Sequence, residues 1–211
     1  MTSRPPACAG NQKGGRVLKA PVPDDEPERL ESLRSFGILD TDEEEAFDDL
    51  ARLAAYVCHA PTALVTFVDS DRQWFKSRVG FSPRETTRDV SFCAHAILQP
   101  GPLVVRDTQD DSRFRDNPLV LSAPYIRFYA GAPLISEEGY NLGTLCVLDR
   151  VPRELRPEQL DALRMLGNQV TALLDLRRTV SYLAGALKEK NRRLDELEGH
   201  PRPHGDDTGA A

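Results

Sequence analysis

Apolar positions in residues 44–59 recur on one side of a helical period, at Phe47, Leu50, Leu53, Ala54 and Val57, and predict an amphipathic helix. Thr41 stands where a capping hydroxyl belongs, and Glu44 three residues on completes a capping box. The acidic run 42–45 suits the positive end of that helix. Ahead of it, residues 28–36 carry Leu30 and Leu33 at helical spacing and stop at Gly37, a C-terminal cap. The pattern then changes. Residues 62–69 and 72–79 are β-rich runs joined by Asp69-Ser70-Asp71, the pattern of a hairpin. Residues 91–98 read as a short helix closed by Gln99-Pro100-Gly101, 103–105 as a brief strand, and 110–114 as a helical turn before Asn117-Pro118. A second hairpin is expected from 125–135 and 141–148, turning at Glu137-Glu138-Gly139. From Pro157, which fits a first helical turn, the helical pattern continues to about residue 198.

Strands that follow one another without alternating helices predict an α+β fold around an antiparallel sheet. Within the last helix, steps of three and four pick out Leu173, Leu176, Val180, Leu183, Leu187, Leu194 and Leu197, interrupted at Gln169 and Lys190. A period of about 3.5 residues held over so many turns predicts a coiled-coil seam and a homodimer. The chain divides accordingly. Residues 1–27 mix Gly, Pro and charge and read as a disordered arm, 28–176 as a domain with its leading helix, 177–198 as a coiled-coil extension, and 199–211 as a disordered tail.

Composition narrows the function. The 211 residues are 40% hydrophobic and 28% charged, ordinary for a globular chain. A net charge of −6 disfavours nucleic acid as a partner, because counterion release needs clustered Lys and Arg. No run of about 18 apolar residues could span a membrane, and residues 1–20 lack the apolar core of a secretory signal, so a cytoplasmic location is expected. Cys8, Cys58, Cys93 and Cys146 are far apart with no C-x-x-C pair. That excludes a zinc ribbon or thioredoxin-like site, and no metal centre is expected.

Short blocks then follow in a fixed order: Gly37 to Thr41; Ala63 to Asp69; Gln73-Trp74-Phe75-Lys76-Ser77 with Gly80; Ser91-Phe92-Cys93-Ala94-His95-Ala96-Ile97; Leu103 to Thr108; Arg113-Phe114 with Asn117-Pro118-Leu119; Ile126 to Leu134; and Gly143 to Asp149. In these blocks the chain resembles the GAF domain family, in the form that precedes bacterial sensor histidine kinases and diguanylate cyclases. The resemblance implies a central antiparallel sheet with dimerising helices on one face and a pocket under loops and short helices on the other. It also implies a sensory role in bacterial signal transduction, with a sensor kinase or cyclase as partner. The ligand, and hence any cofactor, stays open.

By the same resemblance the pocket falls at Phe92, Cys93, His95, Arg127 and Tyr129. In chromophore-binding relatives a Cys followed at once by His attaches a bilin; here Ala94 intervenes and sets the two side chains about 200° apart on a helix. Arg127 and Tyr129 alternate along one strand, share a face, and together suit an anionic or aromatic ligand. The expectation is a non-enzymatic dimeric regulator that passes a signal through its C-terminal helix. Alternatives are a ligandless dimerisation module, a thiol enzyme of the free methionine sulfoxide reductase type using Cys93, or a tetrapyrrole-binding photoreceptor. Cys146, on a strand with core-like neighbours, reads as packing.

Overall fold

Six strands pair in one antiparallel sheet: β1 (Thr62–Val68), β2 (Arg72–Val79), β3 (Glu85–Thr87), β4 (Leu103–Val105), β5 (Phe128–Ile135) and β6 (Asn141–Asp149), in the order β3-β2-β1-β6-β5-β4. The helices are α1 (Glu26–Ser35), α2 (Glu45–Cys58), α3 (Phe92–Ala96), α4 (Pro118–Leu121) and α5 (Pro157–Glu198), in a computed structural model that describes residues 17–198. The expected tail over 199–211, most of the expected arm, and the Leu197 side chain lie outside the described residues.

The sheet is covered on both faces, which is why β1 is buried on both sides from Ala63 to Val68 and is apolar there except at Thr66. Alternation sends Ala63, Val65 and Phe67 to a core with Leu33 of α1, Phe47 of α2 and Leu163, Val170 and Leu174 of α5. It sends Leu64 and Val68 to a second core with Phe92 and Cys93 of α3, Phe114, and Tyr129 and Cys146 of the central strands. Gly143 faces Phe67 across the β1–β6 pair. A Cβ there would stand 1.9 Å from the Thr66 carbonyl oxygen, so only glycine lets these strands close.

Several boundaries depart from expectation for identifiable reasons. α1 begins at Glu26, inside the stretch read as an arm, because its buried carboxylate accepts from Arg29 Nε at 2.8 Å and Nη2 at 2.7 Å, and from Arg88. Arg29 Nη2 also donates to the Val68 carbonyl at 2.7 Å, pinning α1 to the end of β1. The capping box at Thr41 and Glu44 does not form, and α2 has no side-chain cap. The ammonium of Lys76, fully buried on β2, takes both groups instead, at 2.9 Å from Thr41 Oγ1 and 2.8 Å from Glu44 Oε1. Glu44 Oε1 also accepts from Arg177 Nε at 2.9 Å, so one carboxylate links the sheet to α5. β5 starts at Phe128 rather than 125, since Tyr125 takes a φ of 60° that no strand allows.

α5 carries two apolar stripes. Leu163, Val170 and Leu174 face the domain core, with Gly167 against Ala132. Of the expected seam, Leu173 is half-buried against that core, while Leu176, Val180, Leu183, Leu187 and Leu194 are 60, 57, 59, 60 and 46% exposed. At about 1.5 Å per residue the 42-residue helix extends roughly 63 Å, much of it beyond the sheet. Among the described residues no helix is long and apolar enough to cross a membrane.

Candidate functional site

Ser91 caps α3: its side-chain oxygen accepts from the Ala94 amide at 2.9 Å, and it fixes where Cys93 points. The Ser91 hydroxyl also donates to Gln73 Oε1, which settles the orientation of that amide and turns Nε2 onto Cys93 Sγ at 3.0 Å. Thr144 Oγ1 on β6 donates to the same sulfur at 3.0 Å and Tyr129 OH on β5 at 3.4 Å. Thr66, paired with Thr144 across β1 and β6, stands behind that hydroxyl at 3.3 Å. The phenol has room because residue 131, next along the same face, is glycine; a Cβ there would lie 2.2 Å from the Tyr129 oxygen.

Three donors therefore converge on one buried sulfur, the surroundings of a thiolate rather than of a packing thiol. Burial by itself pushes the Cys93 thiol up, but hydrogen bonds from Cys146, Thr144, Thr66 and Tyr129 outweigh it and hold Cys93 below the ordinary thiol value. Cys146 Sγ lies 3.9 Å from Cys93 Sγ. Burial, then the adjacent Cys93, push Cys146 the other way, well above the ordinary value. Tyr129 is likewise raised, by burial first and then by the two sulfurs, and so stays a donor. Cys58, raised to about 11 by burial alone, shows what an apolar site does to a thiol without donors.

Cys93, Cys146, Tyr129, Phe92, Gln73 and Thr86 line a cavity of about 20 Å³, little more than one water needs. The Thr86 hydroxyl oxygen is buried there with no protein partner. Phe81, Ile126 and Leu148 separate this cavity from a larger cleft of about 370 Å³ beside Asp149 and Arg150.

Of the residues expected to form a pocket, Phe92, Cys93 and Tyr129 come together, with Phe92 stacked on Tyr129 at 5.4 Å between ring centres. His95 does not join them. It faces Phe114 at 4.9 Å, its Nε2 meets the Leu18 carbonyl at 3.2 Å, and burial lowers its pKa. Leu18 belongs to the stretch read as an unstructured arm, so part of that arm covers α3. Arg127 precedes β5 and turns to Asp107, with Nε–Oδ1 at 2.8 Å and Nη2–Oδ2 at 2.5 Å, so it does not share the Tyr129 site. Sequence reasoning missed Cys146, Gln73, Thr144 and Thr66. A polar residue at Thr66, amid the apolar run of β1, was the available signal. Among the described residues no group of three or more His, Cys, Asp or Glu could hold a metal ion.

Comparison with known proteins places this geometry. A GAF domain family model matches residues 42–174. A cyclic di-GMP phosphodiesterase of Pseudomonas aeruginosa is 42% identical over 178 residues, 83% of this chain; the chain spans 30% of that protein's length. This match corrects the expectation of a non-enzymatic protein, since a relative of this similarity is named for an enzymatic activity. Solved relatives share the fold at low identity. The GAF domain of an Acinetobacter phosphoenolpyruvate-protein phosphotransferase has a TM-score of 0.54 at 13% identity, covering 74% of this chain and 98% of that one. The blue-light absorbing form of the Thermosynechococcus elongatus PixJ GAF domain has a TM-score of 0.52 at 12% identity, covering 77% and 96%.

Proposed function

Because the chain belongs to the GAF domain family, we propose that it is the sensory and regulatory module of a cyclic di-GMP phosphodiesterase, delivering its signal through paired copies of α5. The observation that carries this reading is the likeness to the Pseudomonas phosphodiesterase over most of the chain. The same likeness favours a phosphodiesterase as the controlled activity over the kinase or cyclase expected from sequence.

Two structural features support the reading. The exposed stripe from Leu176 to Leu194 is an apolar seam on a helix that has left its own domain, and a second copy of α5 is the partner with a matching seam. Input is read at the cavity bounded by Phe92, Cys93 and Tyr129, whose volume suits a very small occupant over a tetrapyrrole or a nucleotide.

Cellular cyclic di-GMP, quantified by mass spectrometry in the host that encodes the chain, tests the proposal. Deletion of the gene is expected to shift the level, the wild-type gene to restore it, and Leu183→Asp to fail to do so. A level indifferent to deletion overturns the reading.

A further inference from the structure

We propose that Cys93 and Cys146 form a peroxide-reactive dithiol, with Cys93 the attacking sulfur and Cys146 the resolving one, which closes to a disulfide. The inference deepens the functional reading by naming its input, and rests on it only for the link to the output.

The geometry supplies each part. The sulfurs are 3.9 Å apart within the second core, whereas Cys58 is buried in the first. Gln73, Thr144 and Tyr129 donate to Cys93, stabilising its anion, whereas Cys146 lacks such a set of donors and stays protonated. The cavity at this pair admits only a molecule close to water in size, which selects hydrogen peroxide and excludes a sulfoxide amino acid or a bulky disulfide. Within it, the unpartnered Thr86 hydroxyl is placed to hydrogen-bond such a guest.

The chemistry balances in two steps. The Cys93 thiolate attacks one peroxide oxygen; an S–O bond forms, the O–O bond breaks, and the departing hydroxide takes up the proton Cys93 had released, giving water and a sulfenic acid. Cys146 then gives up its proton and attacks the Cys93 sulfur; the S–S bond forms, the S–O bond breaks, and the leaving hydroxide with that proton makes a second water. Two thiols and one peroxide become one disulfide and two waters, the peroxide accepting both electrons. Closing to a bond of about 2.05 Å requires the sulfurs to approach by about 1.9 Å. Cys146 lies in the middle of the sheet and Cys93 on a helix of five residues, so α3 is the element that moves.

The test exposes the reduced full-length chain to hydrogen peroxide, denatures it, and alkylates every remaining thiol before mass mapping. Loss of two of the four alkylatable thiols, recovered as a Cys93–Cys146 linked peptide that dithiothreitol reverses, is the expected result. Cys146→Ser is expected to stop at a sulfenic acid on Cys93, trapped by dimedone, and Cys93→Ser to take up no dimedone at position 146. Thermal melts of both variants identify any that fail to fold, and the wild-type mapping stands without them. Full alkylation of Cys93 and Cys146 after peroxide, or a disulfide through Cys8 or Cys58 instead, overturns the proposal. Because the readout is a bond in the purified chain, it fails or succeeds separately from the cellular cyclic di-GMP measurement.

Discussion

Replacing Leu183 by alanine separates the two stripes of α5. Fully burying a leucine contributes roughly 1.5 to 3 kcal/mol, and Leu183 is 59% exposed in the single chain, so pairing has about 1 to 2 kcal/mol of its burial still to gain. A homodimer loses the side chain on both helices, about 2 to 4 kcal/mol in all, or a dissociation constant weakened roughly 30-fold to several hundred-fold. Alanine is at least as good a helix former as leucine, so the helix itself should persist. Sedimentation equilibrium over a wide concentration range is the assay, with circular dichroism to show unchanged helicity. A wild-type chain that stays monomeric at every concentration, or a Leu183→Ala variant that dimerises as tightly as the wild type, refutes the argument.

Leu174→Ala, on the other stripe of the same helix and 1% exposed, should lower unfolding stability by about 2 to 5 kcal/mol in denaturant titrations. Gly143→Ala drives a Cβ against the Thr66 carbonyl and should open the β1–β6 pair, seen as lost amide-exchange protection in both strands. Burial raises the Glu26 carboxyl, but hydrogen bonds from Arg29 and Arg88 more than reverse this and bring it down to about 2. A depressed carboxyl contributes stability that is fully present above the ordinary value of 4.5 and lost as pH falls toward 2. Stability measured across that window should therefore decline, and Glu26→Gln should flatten the slope while destabilising the chain at neutral pH by about 3 to 5 kcal/mol, because two buried guanidinium groups lose their partner.

The elements with a strong local signature were legible. The apolar side of α2, both hairpins and α5 all announce themselves by period, and the antiparallel α+β architecture follows from their order. Three-residue β3 was not, since Glu85-Thr86-Thr87 is short, polar and defined by its pairing with β2. Thr41 and Glu44 satisfy a local capping rule, yet a lysine more than thirty positions away takes both, and no local pattern reports that. The site is harder for the same reason. Cys93 and Cys146 are 53 residues apart and meet only because a capped helix is laid over the centre of the sheet. Arg127 was placed on a strand by alternation, but the backbone at Tyr125 delays the strand until Phe128.

The carboxylate of Glu44, shared between Lys76 of β2 and Arg177 of α5, sits near the last turn at which α5 still touches the domain. Because each residue along a helix turns the next by about 100°, holding Arg177 fixes the compass bearing of every leucine beyond it. A slight swivel at this point would carry the whole distal stripe around the helix axis without lengthening or bending it. In the proposed pairing, what the domain would deliver at the far end of α5 is a heading rather than a push, and two such helices would report by whether their headings agree.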